Sequence, residues 1–88
     1  MSAATLLVYE GEMLEAMKRC DMFRAYLKNI TNSEELKSIK VKNIMLSLNE
    51  AEIYYNKCKD KYENYLDEYE DYRYNLENQH LDIYSEEN

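Results

Sequence analysis

The sequence has 88 residues, a formal net charge of −7, ten tyrosines, no proline and a single glycine. A chain of this length forms one domain with a modest core, and the near absence of Gly and Pro argues against the turns that β-hairpins require. The acidic balance argues against direct binding to nucleic acid, because phosphate contacts require a basic surface. We therefore predict an all-α protein.

The first predicted helix covers residues 4–30. Its apolar residues recur in alternating steps of three and four, which is the pattern of heptad positions a and d. Residues 31–33 are polar turn formers, and Ser33 is predicted to cap a second helix whose first turn carries Glu34 and Glu35. The a and d residues of the first helix are Leu6, Tyr9, Met13, Ala16, Cys20, Phe23, Leu27 and Ile30.

The second predicted helix runs from about residue 34 to about residue 84. Its a and d positions continue in unbroken steps of three and four, although Leu36 and Ile39 fall outside the pattern and indicate irregular first turns. These positions are Val41, Ile44, Leu48, Ala51, Tyr55, Cys58, Tyr62, Tyr65, Tyr69, Tyr72, Leu76, Gln79 and Ile83.

The continuity of this pattern favours an antiparallel, coiled-coil-like helical hairpin with a long, partly protruding second helix. The alternative is a three-helix bundle, which would need a turn near residues 56–61. Such a turn would normally shift the heptad phase and recruit Gly, Pro or a clear cap, and neither signal occurs there.

The register of the hairpin follows from the position of its turn. A turn centred near residue 32 places Ala16 opposite Leu48 and Tyr9 opposite Tyr55. It likewise pairs Met13 with Ala51 and Phe23 with Val41. In this register the N-terminal end of the first helix lies level with about residue 60 of the second helix. The segment 61–88 therefore has no partner within its own chain.

That segment is also where the net charge lies. Residues 1–60 carry nine acidic and nine basic side chains, whereas residues 61–88 carry nine acidic side chains against Lys61 and Arg73. The predicted partner-binding residues are a tyrosine stripe continued by Leu76 and the carboxylates on the faces beside it. They are Tyr62, Tyr65, Tyr69 and Tyr72 together with Glu63, Asp67, Glu70, Asp71 and Glu77.

Two kinds of partner could cover an exposed stripe of this size, which soluble monomers rarely tolerate. One is a second copy, since a homo-oligomer, with a dimer as the first choice, could pack the protruding halves together. The other is a different protein with a basic surface, because tyrosine is enriched at binding hot spots and the carboxylates form a rod of negative charge.

In size, charge and Tyr-rich, amide-rich composition, the chain resembles the small acidic helical proteins that phages and mobile elements use against host nucleic-acid enzymes. The resemblance implies a nucleic-acid-mimicking inhibitor that acts in the cytoplasm of the host. The alternative is a structural or assembly coiled coil whose acidic face has no target.

Catalytic and metal signatures are sparse in this sequence. Glu77 and His80 have the spacing that di-iron bundles use, so a carboxylate/His metal-binding oligomer is a third hypothesis. Cys20 and Cys58 are predicted to be reduced apolar fillers, which is typical of a cytoplasmic protein. We expect no catalysis, no cofactor, no metal, no membrane span and no signal peptide.

Overall fold

The computed structural model describes the backbone of residues 1–87 and the side chains of residues 1–78. It contains helices α1 (Ala3–Lys28), α2 (Ser33–Leu36) and α3 (Ile39–Glu87). Helices α1 and α3 pack antiparallel, and the molecule is a rod of 78 × 17 × 16 Å. The prediction of an all-α hairpin with a long second helix is confirmed.

Helix α1 begins where a serine caps it. Ser2 has an extended backbone, and its hydroxyl accepts hydrogen bonds from the N–H groups of Ala4 at 3.1 Å and Thr5 at 3.4 Å. This side chain satisfies two of the amides that the first turn leaves without partners. The helix ends at Lys28, two residues earlier than the predicted boundary at residue 30.

The turn differs from the prediction in its details. Asn32 caps α2 by accepting a hydrogen bond from the N–H of Glu34 at 2.9 Å, so the prediction of Ser33 as the cap is wrong. A break after Leu36 separates α2 from α3, where the hydroxyl of Ser38 accepts from the N–H of Val41 at 3.2 Å. The long helix therefore begins at Ile39, after the irregular first turns that the sequence indicated.

Helix α3 is continuous through residues 56–61, so the chain does not turn where a three-helix bundle would require it. This stretch contains neither Gly nor Pro, and nothing in its sequence interrupts helical hydrogen bonding. The uninterrupted heptad phase therefore corresponds to a single helix.

The core between α1 and α3 consists of small side chains at a and d positions. Each of its members is less than one-tenth exposed, and small residues at these positions let two helices approach closely. Both cysteines are reduced and buried, as predicted. The buried residues are Ala16, Cys20, Val41, Ala51 and Cys58.

The register of the hairpin differs from the predicted one. Tyr9 packs edge-on against Tyr65, with ring centroids 5.3 Å apart, and not against Tyr55. Glu12 is paired with Lys61 at 3.3 Å. The partner of Tyr9 thus lies ten residues beyond the predicted one, or about 15 Å along the helix axis. The cause is α2, which lengthens the turn and moves its centre beyond residue 32.

Candidate protein-interaction surface

Tyr65 marks the end of the hairpin. Its hydroxyl accepts a hydrogen bond from the N–H of Ser2 at 2.8 Å and donates one to the carbonyl of Ser2 at 2.9 Å. Its ring packs against Tyr9, whose other neighbour is the ammonium group of Lys61, 4.2 Å from the ring centroid. The prediction that the first helix ends level with residue 60 is therefore wrong, because Tyr65 still contacts the start of α1.

Beyond Tyr65 no hydrogen bond, ion pair or ring contact joins the described part of α3 to α1, although Leu66 and Tyr69 are still half-buried, and we call residues 66–78 the arm. Its aromatic and aliphatic side chains are less exposed at its start than from Tyr72 onward. Tyr69 is half-buried, whereas Tyr72 is 40% exposed, Leu76 is 47% exposed and Tyr74 is 64% exposed. The arm therefore offers apolar area that its own chain leaves open to solvent.

The arm is strongly acidic. Arg73 is its only cation, and it lies 3.9 Å from a carboxylate oxygen of Glu77, one turn further along. A pair this exposed contributes less than about 1 kcal/mol. Since the residue numbers span ten positions, the carboxylates occupy about 15 Å of helix axis. The exposed carboxylates are Asp67, Glu68, Glu70, Asp71 and Glu77.

The structure separates the predicted partner-binding residues into two groups. Tyr65 belongs to the hairpin, Tyr62 is half-buried three residues before it, and Glu63 lies 3.9 Å from Lys59 on the same helix. The other predicted residues lie in the arm. They are Tyr69, Tyr72, Asp67, Glu70, Asp71 and Glu77.

Two accessible residues of the arm are missing from the sequence-based set. Tyr74 is the most exposed tyrosine of the arm, and Glu68 is one of its exposed carboxylates. They lie at heptad positions f and g, outside the a and d stripe on which the prediction concentrated. The heptad assignment itself would have identified both as outward-facing.

A shallow groove of about 500 Å³ lies on one side of the hairpin. Glu12 and Arg19 of α1 and Glu50 and Tyr54 of α3 line it. Cys58, one turn along α3, raises the pKa of the Tyr54 hydroxyl, chiefly through a side-chain hydrogen bond and a smaller charge effect. The mixture of carboxylates with one guanidinium gives this groove no single preferred ligand.

Arg24 links the two helices on the opposite side of the hairpin. Its guanidinium donates to a carboxylate oxygen of Glu52 at 3.1 Å and to Asp21 at 3.2 Å. The hydrogen bond from Arg24 to Glu52 is the main reason that the Arg24 pKa is raised above its ordinary value. The contribution of this pair is structural, since it spans α1 and α3.

Within residues 1–78, no three His, Cys, Asp or Glu side chains come together to form a metal site. His80 of the Glu77–His80 pair lies outside the described side chains, as do Gln79 and Ile83. Among the described residues, no helix combines the length and the apolar content needed to cross a lipid bilayer.

Comparisons with protein-family models, with curated protein sequences and with solved structures give no match to this chain.

Proposed function

We propose that the chain is a non-catalytic interaction protein whose arm binds the basic surface of a partner protein. The observation that supports this proposal is the combination of five exposed carboxylates with the accessible side chains of Tyr72, Tyr74 and Leu76. Tyrosine contributes contact area, rigidity and a polar tip, which is why it is enriched at binding hot spots. The carboxylates supply the potential that attracts and orients a basic partner.

The spacing of the charges favours a partner that also binds nucleic acid. From Asp67 to Glu77 the arm carries about one carboxylate per 4 Å of axis. One strand of B-DNA carries one phosphate per about 3.4 Å. A groove that accepts a phosphate backbone would therefore meet a similar charge density on the arm, and the bound arm would exclude nucleic acid. The two buried, reduced cysteines suit such an action in the cytoplasm.

Neutralising the arm tests this proposal. A photo-crosslinking amino acid at position 74 first identifies the partner in the native host, and the partner is then purified for binding titrations. The variant carries Glu68→Gln, Glu70→Gln and Asp71→Asn, and the matched control carries Glu15→Gln, Glu35→Gln and Asp60→Asn. All six side chains are exposed, and both variants lose three negative charges.

We expect the arm variant to bind the partner at least about tenfold more weakly, and the control to stay within about twofold of the wild type. Binding of the wild type should also weaken as salt is added, because the carboxylates are exposed. Duplex DNA should compete with the chain for the purified partner. Equal binding by the two variants, or simultaneous binding of DNA, would contradict the proposal.

The second candidate is an assembly coiled coil without a nucleic-acid-related target. For such a protein, the same three substitutions in the arm would leave both its self-association and its contacts with other proteins intact. The titrations described above therefore discriminate between the two functions.

A further inference from the structure

The outer face of α3 carries a row of exposed aliphatic side chains. Ile39, Leu46 and Ile53 lie at successive f positions, opposite the a and d residues that contact α1, and they are 77%, 63% and 51% exposed. Position f of a two-helix hairpin is normally polar, because it faces solvent. The row spans about 21 Å and ends before Asp60 and Asp67, which occupy the next two f positions.

The charges beside this row are arranged with opposite signs about its centre. Lys42 precedes Leu46 by four residues, and Glu50 follows it by the same distance. Lys40 and Glu52, two residues further out on each side, turn towards α1, where they contact Tyr26 and Arg24. When a second helix lies antiparallel with its own Leu46 at the same level, Lys42 of each helix lies level with Glu50 of the other. A parallel helix in register would instead place lysine beside lysine and glutamate beside glutamate.

We propose that this face is a self-association surface, on which a second copy of the chain docks antiparallel about a two-fold axis at Leu46. Ile39 then packs against Ile53 of the second copy, and the two Leu46 side chains meet at the axis. A surface that is complementary to itself under a two-fold rotation is what an isologous dimer requires. Charge complementarity therefore favours a second copy over an unrelated helix.

This interface is small. The overlap of the two helices covers residues 39–53. Each exposed aliphatic side chain in it can bury on the order of 100 Å² of its surface or less. Stable dimers bury about 800 Å² on each partner. The dimer is therefore weak and depends on protein concentration.

The arms stay accessible in the dimer. Helix α3 of the second copy begins at its Ile39, which lies level with Ile53 of the first copy. That helix therefore does not reach residue 66 of the first copy, where the arm begins. The two arms project in opposite directions from the central contact. Self-association and binding by the arm thus use different residues, and each can fail without the other.

Analytical ultracentrifugation over a wide concentration range tests the proposal. The wild type should be monomeric when dilute and dimeric when concentrated. Leu46→Lys should move this transition to at least tenfold higher concentration, because it places two like charges at the axis. Leu7→Lys is the matched control, since Leu7 is 66% exposed on the outer face of α1, and it should leave the transition unchanged. A wild type that stays monomeric throughout, or equal effects of the two substitutions, would overturn the proposal.

Charge exchange tests the orientation in a second way. Lys42→Glu and Glu50→Lys should each weaken the dimer, because each creates like charges across the interface. An equimolar mixture of the two variants should associate again, because the glutamates at positions 42 and 50 of one variant then face the lysines at positions 50 and 42 of the other. Failure of the mixture to associate more strongly than either variant alone would contradict the antiparallel arrangement.

Disulfide cross-linking provides a direct check on the geometry. Under oxidising conditions Leu46→Cys should cross-link to itself, and Ile39→Cys should cross-link to Ile53→Cys in a mixture but not to itself. Cys20 and Cys58 are buried and do not compete. Self-cross-linking of Ile39→Cys would indicate a parallel pair and overturn the proposal. The neutralised arm variant described above should dimerise like the wild type, which separates this proposal from the proposed function.

Discussion

The two parts of α3 share one heptad pattern but have different surroundings. Between residues 39 and 65, the a and d positions include Val41, Ala51 and Cys58, which are almost completely buried against α1. In the arm, the same positions hold Tyr72 and Leu76, which remain accessible. The comparison teaches that a heptad pattern shows which way side chains face, whereas the length of the neighbouring helix decides what they face.

The chemistry of each part fits its surroundings. Small side chains fill the contact with α1, where two helices of one chain must approach closely. Tyr69 and Tyr72 hold these positions in the arm, as Tyr62 and Tyr65 do at the end of the hairpin, and their hydroxyl groups suit a surface that is exposed to water before a partner binds. The charges differ in the same way, since the first 60 residues are balanced and the excess of carboxylates lies in residues 61–88.

The largest expected effect follows from a charge placed in the hairpin core. Val41 is 1% exposed, so Val41→Asp should destabilise the hairpin by about 3–5 kcal/mol, because a buried carboxylate would lack a partner. That loss is comparable to the total stability of a domain this small, and α1 should separate from α3. Urea denaturation followed by circular dichroism measures the effect.

The control for this substitution is Asn56→Asp, at an exposed position of the same helix. It should change the free energy of unfolding by less than about 0.5 kcal/mol. A Val41→Asp variant with the urea midpoint of the control would show that α1 does not pack on α3 as described.

A smaller loss of stability is expected from a substitution at the end of the hairpin. Tyr65→Phe removes a hydroxyl that makes two hydrogen bonds to Ser2, and it should cost about 1 kcal/mol. The amides of Ala4 and Thr5 should then exchange with solvent faster, because the first turn of α1 loses its anchor. Tyr72→Phe removes a hydroxyl from the arm and should leave the melting temperature unchanged. If the two variants melted alike, the boundary at Tyr65 would be misplaced.

The smallest effect concerns a surface charge that bridges the two helices. Lys61→Ala removes an ion pair with Glu12 and a cation–π contact with Tyr9, which together contribute about 0.5–1 kcal/mol. Lys59→Ala removes only a 3.9 Å pair with Glu63 within α3 and should cost less than about 0.3 kcal/mol. The difference in thermal stability between the two variants should shrink as salt is added.

The sequence was informative about the helices and less informative about their register. Steps of three and four predicted both long helices, and the positions of Leu36 and Ile39 indicated irregular first turns. The heptad phase of the two helices does not specify how many residues connect them. In the structure that connection contains the short helix α2. The expected contact between Tyr9 and Tyr55 was therefore wrong, although the residues that face the core were identified.

The candidate surface could be predicted from the sequence in part. The local excess of carboxylates among tyrosines is visible in the printed sequence, whereas the start of the arm depends on the register. Tyr74 and the outer row of Ile39, Leu46 and Ile53 were missed, because the prediction looked for apolar contacts only at the a and d positions and considered the other faces only for their carboxylates. Their exposure becomes evident once the structure shows which face of α3 contacts α1.

The central claim is that the contacts of α1 with α3 end near Tyr65 and leave the later part of the arm, residues 70–77, exposed. Amide hydrogen exchange of the dilute protein, resolved along α3, tests this claim most directly. We predict that amides of residues 70–78 exchange at least about a hundredfold faster than those of residues 44–62, because an isolated helical segment opens locally without tertiary packing. Equal protection through Asn78 would show that another part of the molecule covers the arm, and it would contradict the account.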